Sequence, residues 1–188
     1  MNKKGTWILW ISIAFVLLLI VGIFLYFSLS GPNYDARYAE KISSGELVNP
    51  VYALTEEQAV LAFDESFIYY LLYSIKAYNL HSPPLSSDSP KIEIFIGNQT
   101  YNVEIEKGVI YVKRGEVVEK DIIIRTNAVE AVNMLKNKDY VQESFLNGNS
   151  NIERVASQTT LFGKGYLKMY NELTGKGLTG NVIKIYID

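Results

Sequence analysis

The 188-residue sequence contains no cysteine and one histidine, His81. Without cysteine the chain cannot form disulfides, cysteine-ligated zinc sites, iron–sulfur clusters or a thiol nucleophile. The single histidine lies in a segment rich in Pro and Ser, residues 81–90, where a solvated loop position is the expectation. The sequence therefore predicts no catalytic residue, no metal site and no cofactor, and the chain is expected not to be an enzyme.

Positive charge is also scarce. The formal net charge is −2, and residues 1–30 carry only Lys3 and Lys4, so residues 31–188 hold 16 basic (18 − 2) and 20 acidic side chains. A nucleic-acid-binding domain needs a basic face. This balance argues against nucleic acid as a partner.

One long run, residues 7–29, has no charge at all. Its 23 residues would form roughly 35 Å of helix, enough to cross a hydrocarbon core of about 30 Å. Trp7, Trp10, Tyr26 and Phe27 place aromatic rings near both ends, as interfacial belts do. We expect a single-pass transmembrane anchor at residues 1–30 with the bilayer as a partner. A cleaved signal peptide is the alternative, although the run exceeds the usual apolar region of about 7–15 residues.

The orientation of this expected anchor rests on few charges. Lys3 and Lys4 precede the run, and Arg37 and Lys41 follow it at a greater distance. Cytoplasmic flanks carry the excess of Lys and Arg. This arrangement mildly favours an extracytoplasmic position for the rest of the chain.

Residues 31–53 read as a tether, and residues 54–188 as one α+β domain. Thr55 and Gln58 form the pattern of a capping box at the start of a helix that extends to about Asn79. From residue 91 the apolar period changes to two, and tight turns around Gly97, Gly108 and Gly115 predict an antiparallel meander of strands at about 91–96, 101–106, 109–113 and 117–125. The apolar run 122–124 is expected to be central or covered on both faces.

The second half of the domain returns to helices. Asn127 and Glu130 predict a capped helix start, and Asp139 begins a second short helix that ends near Gly148. A short extended piece follows at 152–155. A last helix begins at Ser157 or Thr159, and residues 181–188 alternate as a final strand.

Gly163 and Gly165 lie inside that last predicted helix, where each glycine costs about 1 kcal/mol relative to alanine. Their spacing around Lys164 matches neither a phosphate-binding loop nor a dinucleotide fingerprint. The remaining reasons for them are a helix start or close approach by another backbone or a ligand chain. Beside them lies a Met- and aromatic-rich stripe, which packs as ordinary core more often than it binds a ligand.

The stretch 101–173 resembles the sterol carrier protein type 2 (SCP2) family. The features are a hairpin with a Gly turn (NVEIEKGVIYVKRGE), a strand started by Asp121, a helix with a Leu-rich end at 128–135, an aromatic before Gly148, and a short strand at Ile152 before a closing helix. The resemblance covers about 75 residues. It implies a five-stranded, mainly antiparallel sheet covered on one face by helices, with an apolar tunnel for fatty acyl chains or sterols between them.

The prediction is therefore membrane-anchored, non-enzymatic binding of a lipid or other apolar ligand in a cavity between sheet and helices. The family has no fixed motif for its tunnel, so the lining is chosen from aromatic, Met and Gly positions. The predicted ligand-binding residues are Phe67, Tyr70, Met134, Phe145, Phe162, Gly163, Gly165, Tyr166, Met169 and Tyr170. The alternative is a structural or protein-interaction module of a membrane-associated assembly, with a filled core and an unidentified protein partner. Asn98 lies in a glycosylation sequon, but turn chemistry accounts for it equally well.

Overall fold

A computed structural model of the chain describes residues 3–30, 33–83 and 86–175. It divides into two compact units, Met1–Gly31 and Pro32–Asp188. The first unit contains one helix, α1 (Lys3–Ser30). Its apolar side chains that the structure describes are exposed, Trp7 by 72%.

Within the described part of the chain, no helix has both the length and the apolar character that crossing a bilayer demands. The predictions of a transmembrane anchor over residues 1–30 and of a single-pass membrane localisation are corrected by this finding.

The second unit begins with three short helices and one 3₁₀ turn. They are α2 (Asp35–Ser43), α3 (Glu56–Leu61), α4 (Glu65–Ser74) and the 3₁₀ turn Ala77–Asn79. The segment predicted as a tether contains α2, and its Leu47 and Val51 are buried in the core. Tyr78 donates a hydrogen bond from its hydroxyl to Asp35 Oδ1 at 2.7 Å, which fastens α2 to the 3₁₀ turn.

The predicted capping box at Thr55 is confirmed. Thr55 accepts from the Gln58 backbone N–H at 3.2 Å, and the Gln58 side chain accepts from the Thr55 N–H at 3.0 Å. The single helix expected over residues 56–79 is wrong. Helix α3 ends at Leu61, and Asp64, with extended backbone, caps α4 by accepting from the Ser66 N–H at 2.8 Å.

The sheet has five strands, β1 (Lys91–Ile96), β2 (Gln99–Glu106), β3 (Val109–Arg114), β4 (Ile122–Thr126) and β5 (Asn151–Arg154), in the order β3-β2-β1-β4-β5. The pairs β1–β2, β2–β3 and β4–β5 are antiparallel, while β1 and β4 are parallel. The sheet is therefore mixed, which corrects the predicted meander at its fourth strand. Instead of folding back beside β3, the chain crosses to the far edge of β1.

The apolar run at β4 explains that position. Ile122, Ile123 and Ile124 are all buried, as predicted. A strand that is apolar on both sides gains most from a central position, and β4 lies between β1 and β5. The face opposite the core is partly covered by the β3–β4 connection, where the buried carboxylate of Glu93 accepts from the Val117 N–H at 3.2 Å and pairs with Lys120.

After the sheet crossover come α5 (Ala128–Lys136) and α6 (Tyr140–Leu146), with α7 (Gln158–Gly163) and α8 (Tyr166–Thr174) following β5. Asn127 caps α5 by accepting from the Glu130 N–H at 3.0 Å, and Ser157 caps α7 by accepting from the Thr160 N–H at 3.2 Å. Both predicted helix starts are confirmed. The predicted final strand at 181–188 lies outside the described residues.

The two glycines mark a break between two helices. Gly165 has φ +80°, a left-handed conformation that L side chains adopt at a cost, and it forms the N-cap of α8. Gly163 ends α7 with ordinary backbone. The single last helix of the prediction is therefore two helices, and the residue between the glycines, Lys164, points into the protein.

Candidate functional site

A small apolar cavity lies between the sheet and the helices that cover it. Its volume is about 20 Å³. Side chains from α4, α5, α6 and α8 form its walls, and side chains from β1 and β4 form its floor. The lining residues are Leu71, Leu72, Ile75, Ile94, Ile124, Thr126, Met134, Phe145 and Leu173.

This volume is close to that of one water-sized probe, since a cavity needs about 10–15 Å³ on that measure to hold a water. Pockets for drug-sized ligands measure about 300–1,000 Å³. The tunnel that the SCP2 resemblance implies is therefore closed in the described core. An acyl chain enters this space only if side chains move apart.

The structure distributes the predicted ligand-binding residues over several environments. Met134 and Phe145 line the cavity. Phe67 packs against Phe63 with ring centroids 4.9 Å apart, and Met169 is buried core. The others are Tyr70 and Tyr170, both half-buried, and Phe162, whose side chain on α7 is 43% exposed.

Gly163, Gly165 and Tyr166 belong to a different site, a buried polar cluster around Lys164. Gly163 and Gly165 flank the lysine. A Cβ added at Gly165 would lie 3.3 Å from His81 Nε2, whereas one added at Gly163 would meet only Pro83 at 3.7 Å. Close approach therefore matters at Gly165, where the neighbour is a loop of this same chain.

Lys164 is 1% exposed, and its ammonium is fully engaged. It donates to Asp121 Oδ1 at 2.9 Å and to the Ser89 carbonyl at 3.0 Å, and it lies 2.8 Å from Asp88 Oδ2. Asp121 in turn accepts from the Tyr166 hydroxyl at 2.9 Å and from the Lys91 N–H at 2.8 Å. The cluster joins the start of β4, the segment before β1 and the α7–α8 junction.

Burial raises the pKa of Tyr166 well above its usual value, and the negative charge of Asp121 and the hydrogen bond to it act in the same direction. The phenol is therefore neutral and serves as a donor. Every hydrogen-bond and ion-pair partner in this cluster is supplied by the protein itself. The cluster therefore stabilises the fold and offers no free group to a substrate.

A second, polar cleft of about 50 Å³ lies between α4, α6 and α8. Its lining combines two acids, one lysine, two uncharged polar side chains and two aliphatic ones. These residues are Ser74, Ile75, Lys138, Asp139, Val141, Gln142 and Glu172. Ile75 lines this cleft and the apolar cavity alike.

Sequence reasoning missed both Lys164 and most of the cavity wall. A signal existed for the wall: Leu72 and Ile75 made the predicted first helix apolar beyond one stripe, and Ile94 and Ile124 lie on inward positions of their strands. For Lys164 the only signal was a charged residue between two glycines. Its partner Asp121 is 43 residues away, a pairing that local patterns do not reveal.

No protein-family profile and no curated protein matches the chain. Three solved structures share some similarity: a double mutant of the sec-alkyl sulfatase PisA1 (12% identity, TM-score 0.41), the ubiquinone synthesis protein UbiJ-SCP2 (10%, 0.32) and the stereoselective inverting sec-alkylsulfatase Pisa1 from Pseudomonas sp. (10%, 0.31). They cover 67%, 57% and 72% of this chain, and the chain spans 18%, 84% and 19% of theirs.

The second of these proteins carries SCP2 in its name. At TM-scores of 0.41 and below, these similarities establish neither family membership nor function. The chain spans less than a fifth of the two sulfatases.

Proposed function

We propose that the second unit is a non-enzymatic module that binds the hydrocarbon chain of a lipid-like ligand between its sheet and its helices. The observation that supports this proposal is the cavity beneath α8, whose lining side chains are apolar apart from Thr126. Ligand sites for apolar molecules are concave and mostly apolar. The space lies at the interface of two layers, where a chain can be accommodated by separating the layers without unfolding either.

Binding requires the closed core to open, and the energies permit this. Burying one methylene contributes about 0.8 kcal/mol, so a ten-carbon chain contributes on the order of 8 kcal/mol. Withdrawing two or three aliphatic side chains from their contacts costs about 1.5–3 kcal/mol each. The ligand then replaces the contacts that these side chains lose.

One end of α8 is held more weakly than the other. Its first residue, Tyr166, is fixed by the buried Asp121. Near its last turn, Glu172 pairs with Lys76 at 2.9 Å, and both side chains are partly exposed. Exposed ion pairs contribute about 0–1 kcal/mol. We therefore expect the core to open at the end of α8 that carries Leu173, which is one of the residues that line the cavity.

The test is direct titration of the full chain with 1-decanol, followed by native mass spectrometry and thermal unfolding. A ligand present at 100 times its Kd stabilises the folded state by about 2.7 kcal/mol. Phe145→Ala removes a wall side chain and is expected to bind decanol more tightly than wild type. The matched control is Phe162→Ala, which deletes the same side chain from a half-exposed position away from the cavity.

The proposal fails if neither wild type nor Phe145→Ala binds decanol. Equal tightening in Phe145→Ala and Phe162→Ala would also count against the cavity as the site, because only one of these rings lines it. Lipid extracted from the purified protein and identified by mass spectrometry would give the natural ligand class.

A second candidate function, protein interaction, is favoured by the small volume of the cavity. Tyr52 and Leu61 are each 89% exposed, so both side chains are accessible to a protein partner. If the chain binds no alkyl compound but forms a concentration-dependent complex that Leu61→Ser weakens in sedimentation velocity, interaction through a filled module is the better description.

A further inference from the structure

The polar cleft and the apolar cavity are neighbours that share one wall. Ile75 contributes to both linings and is 3% exposed. The same three helices also supply both spaces. From α4 come Leu71 to the cavity and Ser74 to the cleft, and α6 and α8 divide their side chains in the same way.

On α6, Phe145 faces the cavity and Gln142 the cleft. On α8, Leu173 faces the cavity and its neighbour Glu172 the cleft. A passage between these helices would therefore run from a polar mouth to an apolar interior, with Ile75 in the wall that the two spaces share. This order of surfaces matches an amphiphile, with its head at the mouth and its chain inside.

The charges at the mouth restrict the head group. Lys138 and Asp139 line the cleft together with Glu172, which Lys76 pairs at 2.9 Å. The positive charges of Lys76 and Lys138 thus balance the negative charges of Asp139 and Glu172 at the mouth of the cleft. Of the ion pairs that the structure describes, none includes Lys138.

A carboxylate head would add a third negative charge to this balanced set, and an ammonium a third positive one. An uncharged head group that both donates and accepts hydrogen bonds can bind to these charged side chains without changing the net charge of the cleft. It accepts from Lys138 and donates to the carboxylate of Asp139 or Glu172. Hydrogen bonds to charged partners are stronger than those between neutral groups.

We propose that the ligand enters between α4, α6 and α8, with its alkyl chain passing Ile75 and an uncharged, hydrogen-bonding head group, such as an alcohol or amide, held in the cleft by Lys138 and the neighbouring carboxylates. This inference rests on the proposed function and specifies its ligand class and route. Besides Ile75, it assigns roles to Lys138, Asp139 and Glu172, which line no part of the apolar cavity.

The test compares three ligands of equal chain length, 1-decanol, decanoate and decylammonium, by calorimetric titration of the full chain at neutral pH. Decanol is expected to bind at least about tenfold more tightly than either ion, a difference of about 1.4 kcal/mol. Lys138→Ala should lower decanol affinity about tenfold to a hundredfold, the range for a lost hydrogen bond to a charged group. Lys113→Ala, which removes an exposed lysine from β3 on the sheet, should leave it unchanged.

The route is tested by association kinetics, followed by stopped-flow tyrosine fluorescence. Ile75→Val removes one methyl group from the shared wall and should accelerate decanol association about threefold or more. An unchanged association rate, or equal affinity for the three ligands together with no effect of Lys138→Ala, would overturn this inference. Decanol binding that still responds to Phe145→Ala would then leave the proposed function standing, whereas no binding by any of the three compounds would remove both.

Discussion

Replacing Lys164 by methionine tests whether the buried polar cluster fastens the fold. Methionine keeps the length and apolar stem of the lysine but removes its charge. The change leaves Asp121, which is 5% exposed, without the cation that lies 2.9 Å away. Removing one partner of a buried ion pair typically lowers the free energy of unfolding by about 3–5 kcal/mol, because the remaining charge is uncompensated.

For a domain of this size, 1 kcal/mol shifts the unfolding midpoint by about 2–4 °C, so Lys164→Met should lower it by about 6–20 °C. The measurement is thermal or urea unfolding followed by circular dichroism. The control is Lys113→Met on the exposed part of β3, which should stay within about 0.5 kcal/mol of wild type.

A second variant separates charge from packing. Lys164→Met combined with Asp121→Asn removes both charges while nearly preserving the shape of the pair. Since neighbouring groups couple by about 0.5–3 kcal/mol, the double variant should be more stable than the sum of the two single losses predicts. A loss below about 1 kcal/mol in Lys164→Met, or strict additivity in the double variant, would refute the assigned role.

Three further predictions concern stability. Gly165→Ala should destabilise the fold by about 1–2 kcal/mol because its φ is +80°, whereas Gly163→Ala should be neutral or slightly stabilising, as chemical unfolding will show. The raised pKa of Tyr166 contributes stability that is present below pH 10 and is lost above it, so Tyr166→Phe should flatten the alkaline limb of the stability–pH curve. The Tyr78 hydroxyl lowers the pKa of Asp35, so its stability is present above about pH 4 and falls in acid, a limb that Asp35→Asn should flatten.

Three other outcomes would contradict these predictions. Equal losses at the two glycines would show that helix propensity, not left-handed backbone, dominates the α7–α8 junction. An alkaline limb unchanged by Tyr166→Phe would place the titration elsewhere among the 14 tyrosines of the chain. An acid limb unchanged by Asp35→Asn would mean that other carboxylates control unfolding at low pH.

Local signals in the sequence predicted local structure well. The caps at Thr55 and Asn127 and the alternation through β1, β2 and β3 were all read correctly, because each depends on groups only two to four residues apart. The predicted ligand-binding residues Met134 and Phe145 line the apolar cavity, and their role in binding stays a prediction. Sequence reasoning was wrong about the continuous helix at 56–79 and about a transmembrane anchor.

The sequence by itself determined the strands β1, β2 and β3, the helix caps at Thr55 and Asn127, and the burial of residues 122–124. Tertiary structure decided that β4 lies parallel beside β1, that Lys164 meets Asp121, and that the space under α8 measures about 20 Å³. The physical reason is how far apart in the sequence the interacting residues lie. A cap or an alternating strand is stabilised by its own neighbours, whereas strand order, a buried ion pair and the volume left between layers depend on residues tens of positions apart that only packing brings together.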